Sequence, residues 1–306
     1  MASTIILVSD MHLSRARPFF QFNWEIFLQA MRADPPDLVL AGGDVALNAP
    51  SHPDDLAYAR EQLDRLPCPW LMVPGNHDVG NNPPPPETID TRGEITISQA
   101  LLDHYRNVMG PDFWTRDIDG WRIIGLDGLL CGSGLPAEAE QAAFLKDAMA
   151  GAGARPVSLF FHKPVFRDDI GETDIFQSVW YPRARGLIRP YLASGHVRLV
   201  LSGHTHEGRD ETVGPTRHVW IPSLAFVTDM QGEWRPDLRG RRRVGWLRMR
   251  LGLGLAETIE IVRHEPDELL ITDISGWMRC GGIRHYEAFT GRRRFPGMPD
   301  TEAADR

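Results

Sequence analysis

Two kinds of apolar run alternate along the first two thirds of this chain. Short aliphatic or β-branched runs lie at residues 4–9, 38–41, 70–73, 157–161 and 197–201. Runs this short and continuous predict strands buried on both faces. Between them lie longer stretches with helical periodicity. Phe20, Trp24, Phe27, Leu28 and Met31 predict a helix over 19–33, stopped by Asp34-Pro35-Pro36. Further helices are expected over 54–66, 97–108 and 136–150, the last opening on a proline. This alternation predicts parallel strands in right-handed βαβ units, and so an α/β fold. Residues 113–118 and 121–126 predict two strands joined by an Asp-Gly turn. Later segments, 217–221, 244–251 and 258–262, are expected to be antiparallel strands. Residues 166–191 are aromatic-rich and irregular, and the prolines at 83–86 predict an extended loop.

The residues that end the strands share a chemistry. The run 70–73 leads into Pro74-Gly75-Asn76-His77-Asp78. Alone, this stretch also reads as a turn, since Gly and Asn tolerate positive φ and Asp caps. Four other strand ends repeat the theme, with Asp10 and His12, Asp44, His162, and His204 and His206. Ligands of open α/β sheets bind at the carboxyl ends of strands. On an extended backbone, the spacing of Asp-x-His and His-x-His points both side chains of a pair the same way. The donors are all oxygen and nitrogen, which suits manganese, iron, zinc or cobalt.

These motifs resemble those of the calcineurin-like metallophosphoesterase superfamily. They stand here, in that family's order, as Asp10-Met11-His12, Gly43-Asp44, Gly75-Asn76-His77-Asp78, His162 and Gly203-His204-Thr205-His206. The resemblance covers residues 3–225 and implies a double β-sandwich flanked by helices (α/β/β/α). It implies a catalytic domain over 1–265, followed by an extension over 266–306 whose polar end is expected to fray. It also implies two divalent or mixed-valence ions. Asp10, His12, His206 and a bridging Asp44 would hold the first, and Asp44, Asn76, His162 and His204 the second. His77 would be the histidine near the leaving group. Ser9-Asp10-Met11-His12-Leu13 and Pro222-Ser223-Leu224-Ala225-Phe226 look closest to the branch of cyclic-nucleotide and glycerophosphodiester phosphodiesterases.

The implied chemistry follows from charge. A phosphodiester is anionic and repels hydroxide; two adjacent cations bridge a water, lower its pKa and bind the phosphoryl oxygens. His77 is then placed to protonate the departing alkoxide. One departure matters. Protein Ser/Thr phosphatases continue Gly-Asp-x-x-Asp-Arg, whereas this chain has Leu47 and Asn48 at the last two positions. That argues against a protein phosphatase and leaves His77 without an evident orienting partner.

Composition narrows the remaining classes. A length of 306 residues suits one large α/β unit, and a net charge of −8 argues against a generic nucleic-acid surface. No apolar run reaches the roughly 18 residues of a membrane span. The start lacks the charged and apolar regions of a signal peptide. Cys68, Cys131 and Cys280 are odd in number and widely spaced, so a disulfide framework is not expected and a reducing cytoplasm is. A homodimer is compatible with the resemblance to the phosphodiesterase branch.

The leading expectation is therefore hydrolysis of a small phosphodiester, such as a cyclic nucleotide. The alternatives are a phosphomonoesterase or pyrophosphohydrolase of the same fold, and an inert protein-binding scaffold. Asp78 reads equally as a partner of the site or as a cap. Asp127 reads as a turn residue, Lys163 as solvated, and Arg239 to Arg243 as a hairpin turn. His52, His104, His196, His218, His264 and His285 read as ordinary surface or core.

Overall fold

β1 (Ile5–Val8) and β2 (Leu38–Ala41) are buried at every residue, as their unbroken apolar runs require. The computed structural model describes residues 2–85, 95–228, 240–253 and 257–272. In β1, Ile5 and Leu7 point into one apolar cluster while Ile6 and Val8 point into another, the period-two alternation of a strand covered on both sides. β2 runs parallel to β1, and β3 (Trp70–Met72) parallel to β2. On the other side of β1 lie β10 (Trp246–Leu253) and β11 (Glu257–His264), paired antiparallel. The order of this five-stranded sheet is β11-β10-β1-β2-β3.

The second sheet has six strands in the order β4-β5-β6-β7-β9-β8. They are β4 (Trp114–Ile118), β5 (Trp121–Gly125), β6 (Val157–Phe160), β7 (Val197–Ser202), β8 (Arg209–Val213) and β9 (Thr216–Trp220). β4 and β5 form the expected hairpin, and its Asp119-Gly120 turn takes positive φ at both residues. β10 and β11 are antiparallel as expected, but β9 departs from expectation. It pairs parallel with β7 and antiparallel with β8, a strand the sequence reading did not anticipate. β8 is polar at its first four positions and lies at the sheet edge, so it carried no apolar signal.

The two sheets face each other across Ile5, Leu7, Leu40, Phe160, Leu201 and Met249. Helices α1 (Gln21–Ala33), α2 (Asp54–Leu63) and α4 (Gln99–Met109) cover the first sheet; the short α3 (Asn76–Val79) lies at the end of β3. α5 (Pro136–Ala152) and α6 (Arg189–Ala193) cover the second. This is the α/β/β/α sandwich. Leu269 and Ile271 return to the α1 side of the core. Pro86, Arg239, Cys280, His285 and the polar tail lie outside the described residues.

Candidate metal centre

Parallel strands put their carboxyl ends on one edge of each sheet, and stacking the sheets brings the two edges together. Asp10 and His12 follow β1, Asp44 follows β2, and Asn76 and His77 follow β3. His162 follows β6, and His204 and His206 follow β7. The loops are stitched by their backbones. Asp10 N donates to Gly43 O and His12 N to Asp44 O, each at 3.0 Å. Gly203 N donates to His162 O at 2.8 Å.

The side chains converge in three overlapping groups: Asp10, His12 and His206; His12, Asp44 and His77; and Asp44, His162 and His204. Within each group, the donor atoms lie within 4.8 Å of one another. Asn76 stands beside them, and its buried Oδ1 has no hydrogen-bond partner among the described residues. Every residue predicted for the site is thus placed at this edge.

The backbone brings the pairs together by a route that corrects the extended-strand expectation. Asp10, His12, Asp44, His204 and His206 all take φ between +49° and +68°, the left-handed region. Each such residue costs on the order of 1–3 kcal/mol, and strain of this kind gathers at functional sites. The side chains therefore share a direction through tight loops and not through strand alternation. Gly75 makes one approach possible: a Cβ there would lie 2.2 Å from Asp44 Oδ1.

Three imidazoles are oriented by main-chain carbonyls. His162 Nδ1 donates to Gly42 O at 2.7 Å, His206 Nδ1 to Phe226 O at 2.9 Å, and His77 Nδ1 to Leu47 O at 2.7 Å. Donation from Nδ1 turns each Nε2 toward the centre. His206 Nε2 lies 3.2 Å from Asp10 Oδ1, and His162 Nε2 lies 3.2 Å from Asp44 Oδ2. The other carboxylate oxygens are committed to backbone: Asp10 Oδ2 accepts from His204 N at 3.0 Å, and Asp44 Oδ1 from His77 N at 2.8 Å.

Burial raises the pKa of both carboxyls, but the imidazoles around them outweigh it. Asp44 is held well below the usual range by His162, His77 and His12, and Asp10 is held lower by His206 and His162. Burial holds His12 and His204 well below an ordinary imidazole, helped by His77 and His162 respectively. Burial opposes protonation of His162, but the charge of Asp44 wins and raises it to about 9. Ionised carboxylates, the low-pKa imidazoles of His12 and His204 and an unpartnered amide oxygen form a donor set that fits hard or borderline cations, and an ion bound there would displace the proton that Asp44 otherwise holds on His162.

Several supporting residues were not legible beforehand. The Asp78 carboxylate accepts from Gly75 N, Val45 N and Ala46 N, so it ties the Asp44 loop to the His77 turn. It is partner and cap at once. Lys163 is not solvated: it is 1% exposed, and its Nζ donates to Asn81 Oδ1, Asn82 Oδ1 and Gln177 O. Asp127 accepts from Leu129 N, the turn role expected of it. The cradle of two amide oxygens and one main-chain carbonyl around Lys163 was visible only in three dimensions.

Known proteins share this architecture. Residues 3–208 match the family model of the calcineurin-like phosphoesterases. A probable cyclic nucleotide phosphodiesterase of Synechococcus sp. is 28% identical over 228 residues, which cover 69% of this chain and 77% of that protein. The serine/threonine-protein phosphatase CPPED1 of Bos taurus is 27% identical over 189 residues, 58% of this chain and 55% of that one. Among solved structures, purple acid phosphatase PPD1 from yellow lupin (Lupinus luteus) seeds has a TM-score of 0.57 at 13% identity. That likeness of fold covers 89% of this chain and 53% of the lupin chain. This chain therefore spans little more than half the length of the last two proteins.

Proposed function

The chain belongs to the calcineurin-like phosphoesterase family and is a metal-dependent phosphoester hydrolase, and on that premise we propose that it cleaves a small phosphodiester, such as a cyclic nucleotide, at a two-metal centre. One observation carries this reading. With Asp44 Oδ1 committed to the backbone, Oδ2 is left 3.2 Å from His162 Nε2 and 3.9 Å from His12 Nε2, between the two ligand groups. A carboxylate so placed suits a bridge. Asp10, His12, His206 and Asp44 would hold the first ion, and Asp44, Asn76, His162 and His204 the second.

Bound there, two cations of manganese, iron, zinc or cobalt would supply Lewis acidity toward the phosphoryl oxygens and lower the pKa of a water. The chain's own residues do the rest. Asn76 offers a neutral oxygen, which leaves more positive charge at the second position than a carboxylate would. His77 has Nδ1 committed to Leu47 O, and its ring meets that of His12 edge-on at 4.7 Å between centroids. Its Nε2 is the position from which a proton passes to the departing alkoxide. The diester preference draws support from the named activity of the Synechococcus relative.

Phosphomonoester or pyrophosphate hydrolysis is the second reading, and the named activity of the bovine relative favours it. An inert scaffold fits poorly, because seven candidate ligands and His77 have been kept together at a cost in strain and buried charge. A cytoplasmic location and a homodimer belong to the same proposal; no described helix is long and apolar enough to cross a membrane. The test is turnover by manganese-loaded protein of bis(p-nitrophenyl) phosphate against p-nitrophenyl phosphate, followed by cyclic nucleotides, glycerophosphodiesters and nucleotide sugars. Diester preference supports the proposal, and clear monoester preference transfers the assignment to the second reading.

A further inference from the structure

Residues 222–226 lie directly over the first ligand group. Leu224 N donates to Ser9 O at 3.0 Å and Ala225 N to Asp10 O at 3.1 Å. Ser223 Oγ donates to Asp10 O at 3.0 Å. In return, Phe226 O accepts the Nδ1–H of His206, and the Phe226 ring lies 4.1 Å from the His206 ring and 4.9 Å from that of His12. One short segment therefore holds the backbone of Asp10 and the tautomer of His206.

What holds that segment is Asn23, on the buried face of α1 and 2% exposed. Its Nδ2 donates to Leu224 O at 2.8 Å, to Ala225 O at 3.4 Å and to Leu270 O at 2.9 Å. Its Oδ1 accepts from Leu270 N at 2.8 Å. Nearby, Val227 N donates to Thr272 O at 2.9 Å. An amide side chain offers two donor hydrogens and one acceptor oxygen, and Asn23 uses both ends. The other buried polar groups of α1, Gln21 and Glu25, bond to each other and to Gln62 and Arg65, whereas Asn23 is tied to partners 201 and 247 residues away.

We propose that Asn23 is a positioning residue for the first metal. With residues 269–272 it braces residues 222–226, so that the Phe226 carbonyl keeps His206 Nε2 turned toward Asp10 and His12. The functional unit then runs at least to Thr272. The inference rests on the two-metal reading above. The second ligand group is held differently, with His162 fixed by Gly42 O. Loss of the brace should therefore fall on one metal and spare the other.

The test is calorimetric titration of the full chain with manganese alone, using wild type, Asn23→Ala and Asn23→Leu. The leucine variant keeps the volume of the side chain and removes its hydrogen bonds, so it serves if the alanine variant does not fold. Leu145→Ala, on the buried face of α5, controls for a general loss of stability. The wild type is expected to bind two ions. Either Asn23 variant should weaken one of them by about 10-fold or more, as loss of an outer orienting group does, and leave the other within about twofold. Leu145→Ala should lower Tm and move neither affinity. The brace is overturned if the Asn23 variants keep both affinities or lose both equally. It is also overturned if Leu145→Ala weakens one site just as much. A wild type that binds fewer than two ions overturns the two-metal reading itself, and the brace with it.

Discussion

The Nδ1–H of His77 donates to the main-chain carbonyl of Leu47 at 2.7 Å. Ala49 N donates back to His77 O at 2.8 Å, and Leu47 N to Leu13 O at 2.9 Å. The acid that Leu47 displaces is thus not needed to set the ring, because the backbone at the same position does it. Leu47→Ala should leave turnover within about threefold, since it keeps the carbonyl and the Leu47 side chain is only half-buried. Steady-state kinetics check this; a loss as large as that of His77→Ala would mean that the side chain matters.

His77→Ala should retain metal and slow alkoxide leaving groups by about 10²–10⁴-fold, the usual worth of a general acid. Nitrophenolate needs no proton, so it should suffer far less. Rates for leaving groups of graded pKa are the readout. Equal losses across the series contradict the acid role.

Asp44→Asn removes the charge that His12, His162 and His77 surround. Both metals should be weakened together and turnover abolished. Metal analysis of the purified variant decides it, and retention of two tightly bound ions would show that Asp44 is not shared.

Gly75→Ala tests packing at the centre. The added methyl would meet Asp44 Oδ1 at 2.2 Å and Asp44 N at 2.3 Å, which is too close without movement of the loop. The expected outcome is a lower Tm together with a lower metal content. A variant with both unchanged would mean that the Asp44 loop has room to give.

His218 sets an acid limit on stability. It is buried beside Phe166, and burial, helped by Arg209, depresses its imidazole to about 4. In the unfolded chain it titrates near 6.5. Between these values the unfolded state binds a proton that the folded state refuses, so stability present above about pH 6.5 is lost as pH falls toward about 4. Denaturation midpoints across that window check it. His218→Leu should flatten the slope, and an unchanged slope would assign it to other groups.

The sequence was informative wherever function sits in a side chain at the end of an apolar run. Asp10, Asp44, His162 and His206 were legible because a buried strand that stops at a carboxylate or imidazole has little structural reason to do so. The sandwich followed from the same runs. What stayed hidden was carried by backbone. Leu47 O, Gly42 O and Phe226 O orient three imidazoles, and a carbonyl looks the same under every residue letter. The left-handed φ of five ligand candidates was hidden for the same reason, and the alternation argument for Asp-x-His failed on it. Asn23 was hidden because its partners are about 200 or more residues distant.

The claim on which the rest depends is that one aspartate joins two cations. Electron paramagnetic resonance of manganese-loaded protein, with metal content measured on the same sample, tests it most directly. The account predicts two manganese ions per chain with an exchange-coupled spectrum that reverts to weak, uncoupled signals in Asp44→Asn. A single bound ion, or two ions with independent six-line signals in the wild type, would contradict it.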